Sequence, residues 1–320
     1  MRLHDEPAPD PQPGEVLLRV TAVGLCGSDL HWYQNGSIGS TAMDAPLVLG
    51  HEFAAVVASG PRAGVRVVVE PADSCGACES CVAGHGELCD DIRFSGQTPT
   101  DGALRTWMAW PERLLVELPD RLTDVEASLL EPLGVSLHAL DLAGLRPGMR
   151  AAVVGAGPIG LLLIRAIRAV GIHDIAATDL LPHRVDAARA SGAPSTWLAG
   201  KDEPPPLAFD AVFECAGTDE ALAAAFRLAR PGGRVVLVGI PGSDRTSFQA
   251  SEGRRKGLTL VFCRRMRPGD LSRAVDLVAA GTVNLRGLVT DVFQLAEGVA
   301  AFEALASRRG LKVVVRPGPM

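Results

Sequence analysis

A glycine-rich turn between an apolar strand and an apolar helix constrains the fold of this chain more than any other feature of its sequence. The small and β-branched run Ala151–Val154 is followed by GAGPIG at 155–160 and by an apolar stretch to about Val170. Strand and helix patterns continue to alternate as far as Phe262. Strands that alternate with helices predict a parallel, doubly wound α/β sheet in this half of the chain.

The spacing of the glycines indicates a phosphate-binding turn. Gly155, Gly157 and Gly160 form G-x-G-x-x-G within a strand–turn–helix unit. Glycines at these positions permit a tight turn, a close approach of a pyrophosphate and close packing of the helix on the strand. The helix that begins there offers free N–H groups to phosphate. The alternative is a glycine turn in an α/β domain that binds no nucleotide.

An acidic residue ends the next predicted strand. Asp179 occupies the position at which such domains recognise ribose. Its carboxylate can accept a hydrogen bond from the ribose 2′-hydroxyl and would repel a 2′-phosphate, which favours NAD over NADP. Arg184 follows it in the sequence and either covers the adenine or holds a 2′-phosphate, so NADP is the alternative cofactor.

Four of the 7 cysteines lie in one short loop. The segment CGACESCVAGHGELC, residues 75–89, contains Cys75, Cys78, Cys81 and Cys89. In a reducing compartment such a cluster favours a metal site over disulfides, and four thiolates match structural zinc. Free thiols and a four-iron iron–sulfur cluster are the alternatives. Zinc with four protein ligands has no open position for a substrate, so we expect this site to stabilise the fold.

Composition and charge exclude several classes of protein. Apolar residues make up 47% of the chain and charged residues 21%, which excludes a disordered chain. The net charge of −6 argues against a nucleic-acid partner. The longest apolar run, Ala151–Ile164, is shorter than a membrane span of ~20 residues, and the acidic, proline-rich start has no apolar signal region. We therefore expect a cytoplasmic protein without a membrane partner.

Further metal-binding residue types lie in the first half of the chain, which has short strand patterns and is expected to be mostly β. Cys26 lies in CGSDLH and His51 in GHE, each beside turn glycines. Catalytic zinc takes about three protein ligands and keeps an open position for water or substrate. A lone cysteine or histidine is more often a packing residue. In a chain with a dinucleotide turn, however, a metal ion would act as a Lewis acid in hydride transfer from an alcohol to the dinucleotide, which favours a metal site.

Several further segments, together with GAGPIG and the cysteine loop, form a set that spans nearly the whole chain. They are CGSDLHWYQNGSIG (26–39), LVLGHEF (47–53), LLEPLGVSLHAL (129–140), TDLLPHR (178–184), FECAG (213–217), RPGGRVVLVG (230–239) and GLKVVV (310–315). The set resembles the zinc-dependent medium-chain alcohol dehydrogenases and, within them, the sorbitol (polyol) dehydrogenases. L-idonate 5-dehydrogenase and threonine dehydrogenase share most of it.

The resemblance implies a Rossmann doubly wound parallel sheet inserted into a GroES-like, mostly β catalytic domain. Residues 1–133 and 270–320 would form the catalytic domain, with the structural zinc loop at 75–89. Residues 134–269 would form the NAD-binding domain. A homo-oligomer, either a tetramer or a dimer, is also implied.

The resemblance also implies roles for individual residues of the catalytic site. Cys26 and His51 would bind the catalytic zinc, and Asp29 would orient the imidazole of His51. Glu52 would bind zinc directly or on displacement of water, and Glu131 directly or through water. The proton of the alcohol would leave through two further residues, Ser28 and His31.

The cofactor would be held by residues of the second half of the chain, and the segment 238–240 would pass the nicotinamide. The residues implied are Gly155, Gly157, Pro158, Ile159, Gly160, Asp179, Arg184, Gly217, Val238, Gly239 and Ile240.

The activity implied is oxidation of a secondary alcohol of a polyol to a ketose, with zinc and NAD+. The alternatives are L-idonate 5-dehydrogenase, threonine 3-dehydrogenase, aminocyclitol dehydrogenase and a catalytically silent member that binds NAD and zinc. Where the family has a substrate-facing tyrosine, Trp32 is the expected ring, and the substrate-binding arginine is Arg264 or Arg265. The proline-rich stretch Glu203–Pro206 is expected to be a surface loop.

Overall fold

The computed structural model describes residues 1–202, 204, 208–242 and 244–318. Most of the proline-rich stretch 203–206 therefore lies outside the described residues. The chain divides into two compact units. The first unit comprises Met1–Glu131, Arg267–Ala279 and Leu285–Met320, and the second comprises Pro132–Met266 and Ala280–Asn284.

Short strands predominate in the first unit and alternate with helices in the second. In chain order the strands of the described residues are β1 Glu15–Gly24, β2 Ser37–Ile38, β3 Thr41–Ala42, β4 Glu52–Val57, β5 Arg66–Val69, β6 Ala72–Asp73, β7 Arg93–Phe94, β8 Trp107–Pro111, β9 Leu115–Glu117, β10 Ala151–Val154, β11 Ile175–Asp179, β12 Ser195–Leu198, β13 Phe209–Glu214, β14 Ala229–Leu237, β15 Thr259–Phe262, β16 Val289–Gln294 and β17 Lys312–Arg316.

The helices are mostly short. In chain order those of the described residues are α1 Gly27–Asn35, α2 Glu79–Val82, α3 Asp124–Ala127, α4 Leu130–Ala143, α5 Pro158–Ala169, α6 Pro182–Ser191, α7 Asp219–Leu228, α8 Ala250–Lys256, α9 Asp270–Ala279 and α10 Gly298–Ser307. Single 3₁₀ turns occur at Gly86–Leu88, Glu112–Leu114 and Leu295–Glu297. Among the described residues, none of the helices combines the length and the apolar character that crossing a bilayer requires.

The first unit is built on a sheet that joins the start and the end of the chain. Within the described residues 7 strands take part, in the order β16-β17-β1-β4-β5-β9, with β8 also pairing with β1. Strand β1 alternates half-buried and buried residues along most of its length, as a strand with one face on a core does. Leu18, Phe53 and Trp110 pack in that core. Because β17 and β4 both pair with β1, residues from distant parts of the sequence meet at one end of it.

The second unit contains the parallel sheet. Its 6 described strands lie in the order β12-β11-β10-β13-β14-β15, and every pair is parallel. The order reverses direction at β10, as in doubly wound nucleotide-binding folds. Strand β10 is buried along its whole length, which explains why its sequence is continuously apolar rather than alternating. The predicted parallel α/β sheet is confirmed.

Candidate functional site

Three potential metal ligands from two sequence motifs come together at the end of β1 and the start of β4. Cys26, His51 and Glu52 each offer one ligand atom, and these atoms all lie within 4.8 Å of one another. The antiparallel register pairs Gly24 with Glu52, which brings the residues after β1 beside the residues before β4. A thiolate, an imidazole and a carboxylate are donors that zinc accepts, so this group fits a zinc ion.

A buried carboxylate fixes the two segments that carry these ligands. Asp29 on α1 accepts a hydrogen bond from the backbone N–H of Cys26 at 2.9 Å and another from the N–H of Gly50 at 3.2 Å. Its Oδ1 atom lies 3.6 Å from Nδ1 of His51. Burial alone would raise the pKa of Asp29, but His51 and the two N–H donors leave it below its usual value. Asp29 is therefore an anion that holds the imidazole in place.

The contact with Asp29 also shifts the pKa of the His51 imidazole. Burial alone lowers the pKa of His51, whereas Asp29 and Cys26 raise it, and the net pKa is well above the usual value. A metal ion must therefore displace a proton from His51 in order to bind there.

Sequence reasoning missed a buried lysine beside this group. Lys312, at the start of β17, forms an ion pair with Glu52, and both side chains are 2% exposed. Gly24 leaves the space for the pair, since a Cβ on it would lie 2.5 Å from Glu52 Oε2 and 2.8 Å from Cε of Lys312. The available signal was a lysine inside the apolar run LKVVV of a chain whose other lysines are only Lys201 and Lys256.

Glu131 lies at the start of α4 and is 4% exposed. Its pKa is raised to about 7, chiefly by burial and also by Glu52, while His51 and Lys312 oppose the rise. Within the described residues, the group whose ligand atoms lie within 4.8 Å of one another contains Cys26, His51 and Glu52 but not Glu131. Glu131 therefore interacts electrostatically with His51 and Glu52, but it is not part of the group of three potential ligands.

The two residues expected to carry the proton lie on α1. Ser28 and His31 are half-buried and three positions apart, so they share one side of the helix. Burial lowers the pKa of His31. The expectation that Trp32 faces the substrate is wrong. Its ring is 3% exposed and packs in the apolar cluster that includes Leu25 and Phe302.

The four-cysteine loop lies between β6 and β7. One ligand atom from each of Cys75, Cys78, Cys81 and Cys89 lies within 4.8 Å of the others, and none of these cysteines forms a disulfide. The backbone N–H groups of Ala77 and Cys78 approach Cys75 Sγ at 3.5 and 3.4 Å. These donors lower the pKa of the Cys75 thiol to about 7. The loop thus presents four thiol sulfurs and fits a structural zinc ion.

The glycine turn after β10 has the geometry of a phosphate-binding turn. Gly155 has φ +99°, and Gly157 precedes α5, whose first residue is Pro158. Gly160 packs on the turn so tightly that a Cβ on it would lie closer than 3.0 Å to the carbonyl oxygen of Gly155. A Cβ on Gly157 would meet only Nη1 of Arg184, at 3.6 Å. The turn is therefore open above Gly157, where backbone and phosphate would meet.

Other predicted cofactor residues lie at the same ends of the strands. Asp179 ends β11 and accepts hydrogen bonds from the N–H groups of Ala156 and Leu181 at 2.8 and 3.0 Å. Ile159 lies in the first turn of α5. Gly217 follows β13, and the segment 238–240, which contains Val238, Gly239 and Ile240, follows β14. These residues all belong to the second unit, whereas the three-ligand metal group and the cysteine loop belong to the first.

Comparison with known proteins supplies independent findings. Residues 12–120 match the alcohol dehydrogenase GroES-like domain, and residues 158–280 match the zinc-binding dehydrogenase family. "Probable D-xylulose reductase A" of Aspergillus fumigatus is 33% identical over 98% of this chain and 93% of that protein. Sorbitol dehydrogenase of Bacillus subtilis is 34% identical over 99% of this chain and 94% of that protein. L-idonate 5-dehydrogenase of Escherichia coli has a TM-score of 0.89 and 28% identity, covering 95% of this chain and 91% of that chain.

These matches confirm the predicted fold class, a GroES-like domain combined with a Rossmann sheet. They extend over almost the full length of the relatives as well as of this chain. The chain belongs to the zinc-dependent medium-chain alcohol dehydrogenases, a family of enzymes, and within them to those of sorbitol dehydrogenase type.

Proposed function

We propose that this chain oxidises a secondary hydroxyl group of a polyol of the sorbitol, xylitol or iditol type to the ketose, with NAD+ as the hydride acceptor. The observation that carries the proposal is the group of half-buried Cys26 with buried His51 and Glu52, held by Asp29 in a chain that also has a dinucleotide turn. Relatives named sorbitol dehydrogenase and D-xylulose reductase support a polyol as the substrate.

The catalytic zinc ion would be held by Cys26 and His51, with Glu52 and Glu131 binding it directly or through water. When bound, zinc supplies a Lewis acid that lowers the pKa of a hydroxyl group. Asp29 keeps the ligand segments of Cys26 and His51 in register through its hydrogen bonds. Lys312 balances the charge of Glu52.

Proton removal is assigned to α1. The lowered pKa of His31 leaves its imidazole neutral near pH 7 and able to accept a proton. Ser28, on the same side of the helix, would pass the proton of the hydroxyl group towards it.

The cofactor would bind to the second unit. The space above Gly157 is free of backbone atoms, since a Cβ there would meet none. The pyrophosphate would therefore bind at this point of the turn formed by Gly155, Gly157 and Gly160. The carboxylate of Asp179 favours NAD, because it would accept from a ribose hydroxyl and repel a 2′-phosphate. Arg184 lies beside Gly157. NADP is the alternative cofactor because Arg184 could hold its 2′-phosphate.

A second zinc ion would occupy the loop of Cys75, Cys78, Cys81 and Cys89 and stabilise the first unit. We also propose that the chain forms a homo-oligomer, a tetramer or a dimer, which light scattering of the purified protein tests.

L-idonate is the second candidate substrate. The observation in its favour is the similarity to L-idonate 5-dehydrogenase, which covers 95% of this chain with a TM-score of 0.89. Oxidation of the secondary hydroxyl of a sugar acid would use the same residues.

The test is a screen of the purified protein, with its zinc content measured on the same sample. NAD+ and NADP+ are each offered with sorbitol, xylitol, iditol, L-idonate, an aminocyclitol and threonine. We expect zinc in the sample and NAD+-linked oxidation of a polyol. Turnover of L-idonate alone would select the second candidate. Zinc-loaded protein that binds NADH but oxidises none of these alcohols would replace the proposal with a catalytically silent protein.

A further inference from the structure

The strand order of the second unit defines where each half of the cofactor lies. The glycine turn follows β10, which lies between β11 and β13 in the sheet. Ligands of such sheets bind outside the carboxyl ends of the strands, at the point where the order reverses. If Asp179, at the end of β11, binds the adenosine ribose, the nicotinamide extends to the other side of β10. It then lies over the loops that follow β13 and β14. This step rests on the proposed function.

The loops after β13 and β14 touch each other through their backbones. Gly217 has φ +69°, and a Cβ on it would lie closer than 3.0 Å to the carbonyl oxygen of Ile240. A Cβ on Gly239 would lie closer than 3.0 Å to the backbone nitrogen of Gly217. The segments 215–217 and 238–240 therefore form one continuous surface in which neither glycine leaves room for a side chain.

One buried residue, Glu214, connects the two loops through its side chain and its backbone carbonyl. Oε1 of Glu214 accepts hydrogen bonds from the N–H groups of Ala216 at 2.7 Å and Gly217 at 2.8 Å. The backbone carbonyl of Glu214 accepts from the N–H groups of Val238 at 2.8 Å and Gly239 at 2.9 Å. The first pair of bonds shapes the loop after β13, and the second pair fixes the start of the loop after β14 against it.

The second carboxylate oxygen of Glu214 faces the other loop. A Cβ on Gly239 would lie 2.9 Å from Glu214 Oε2. Glu214 is 3% exposed, and burial raises the pKa of its carboxyl group although the two N–H donors oppose that rise. Burying an acid is costly, so its presence here calls for a benefit that an apolar residue would not give. The two N–H groups that it satisfies at the turn provide that benefit.

The turn built by Glu214 also borders the phosphate-binding turn. A Cβ on Gly155 would lie 3.0 Å from the backbone nitrogen of Ala216 and 3.1 Å from the carbonyl carbon of Cys215. The segment 215–217 therefore lies between the glycine turn and the segment 238–240.

We propose that Glu214 is a positioning residue for the nicotinamide end of the cofactor. Its carboxylate shapes the loop after β13, and its backbone carbonyl fixes the start of the loop after β14 against it. The two loops then form a single surface for the nicotinamide, and the carboxylate has no part in binding the ADP-ribose portion. Ile240, which is 46% exposed beside that surface, gives it an apolar patch for the ring.

The test compares two ligands that differ only in the nicotinamide. Dissociation constants of NADH and of ADP-ribose are measured by calorimetry for the wild-type protein, Glu214→Ala and Glu214→Gln. We expect Glu214→Ala to weaken NADH binding about tenfold, as the loss of hydrogen bonds to a charged group does. ADP-ribose binding should change by less than about twofold. Glu214→Gln retains an oxygen that accepts from the two N–H groups and should restore most of the NADH affinity.

Thr218→Val is the matched control in the same loop. The hydroxyl of Thr218 accepts from the N–H of Ala221 and caps α7, so its loss should lower the melting temperature and leave the ratio of the two affinities unchanged. If Glu214→Ala does not fold, Gly239→Ala replaces it, because a Cβ there spreads the same loops. Either variant should weaken NADH binding selectively.

Equal weakening of both ligands, or an unchanged ratio in both Glu214→Ala and Gly239→Ala, would overturn the positioning role. Failure of the wild-type protein to bind either ligand would instead overturn the proposed function. The two failures are therefore distinguishable from one set of titrations.

Discussion

At the level of single residues, the ion pair between Lys312 and Glu52 changes how the candidate metal site is interpreted. One oxygen of Glu52 is engaged by a buried ammonium group, so its carboxylate does not serve the metal group alone. Burial by itself lowers the pKa of Lys312, but Glu52 and Cys26 raise it above the usual value, so the lysine stays charged. Removal of one partner from such a pair leaves an uncompensated charge in the protein interior.

We predict that Lys312→Met lowers the free energy of unfolding by about 3–5 kcal/mol, the cost of leaving a buried partner charged. Combining it with Glu52→Gln should recover much of that loss, because the second change removes the unpaired charge. Urea denaturation measures both effects. Lys201→Met, at an exposed position, is the control and should change the stability by less than about 0.5 kcal/mol. A strictly additive double variant would show that the two residues are not coupled.

At the level of elements, the strand–turn–helix unit at 151–169 separates two roles of glycine. Gly160 is needed for packing, since a Cβ there would collide with the carbonyl of Gly155. Gly157 has extended backbone with φ −72° and ψ −173°, and a Cβ there would make only an ordinary contact with Arg184. One glycine therefore serves the fold, and the other keeps space for a ligand.

We predict that Gly160→Ala lowers the melting temperature, while Gly157→Ala leaves it unchanged and weakens NADH binding by about tenfold or more. The reason is that a methyl group on Gly157 occupies the space above the turn, where the pyrophosphate would approach the backbone. Thermal unfolding and NADH titration of the two purified variants give the result. Normal NADH binding by Gly157→Ala would mean that the pyrophosphate lies elsewhere.

The cysteine loop gives a prediction about metal removal and pH. The thiolate is the reactive form of cysteine, and the pKa of Cys75 is lowered to about 7 by the N–H groups of Ala77 and Cys78. Its alkylation in chelator-treated protein should therefore accelerate as the pH rises through about 7 and then level off. Cys215, whose pKa burial raises well above the usual value, should stay unmodified.

Mass spectrometry of iodoacetamide-treated protein measures the extent of alkylation at Cys75 and Cys215. Added zinc should slow the alkylation of Cys75. Fast alkylation of Cys75 that zinc does not slow would contradict a metal site in this loop.

For the whole molecule, the division into two units places the candidate metal ligands in one unit and the candidate cofactor residues in the other. Cys26 and Cys78 belong to the first unit, whereas Gly157 and Asp179 belong to the second. Substitution of a residue in the group of Cys26, His51 and Glu52 should therefore leave cofactor binding at the glycine turn unchanged.

We predict that Cys26→Ser abolishes turnover, removes one zinc ion per chain and leaves the NADH affinity nearly unchanged. Cys78→Ser should remove the other zinc ion and mainly lower stability, because four thiolates hold a structural ion. Metal analysis, NADH titration and thermal unfolding of both variants provide the comparison. Equal loss of turnover and NADH binding in Cys26→Ser would contradict the separation, as would a fully stable Cys78→Ser that lacks only activity.

Local patterns allowed much of this protein to be predicted from its sequence. The buried strand Ala151–Val154, the glycine turn and the parallel sheet follow from short-range periodicity, and the structure has that strand at the predicted residues. The cysteine loop could be predicted equally well, because its four cysteines lie within fifteen residues, at 75–89, and their sulfurs meet without any long-range pairing. Spacing along the chain fixes such features because the contacts that they need are themselves local.

The tertiary structure alone decided the contacts between distant segments. Lys312 meets Glu52 across a sequence separation of 260 residues, because β17 and β4 both pair with β1. Trp32, expected at the substrate, lies in the core instead, since the apolar surface of α1 is buried there. The backbone carbonyl of Glu214 acquires Val238 and Gly239 as partners only when β13 and β14 lie side by side. Strand register determines the contacts of Lys312 and Glu214, and the register depends on how the whole sheet assembles rather than on any one segment.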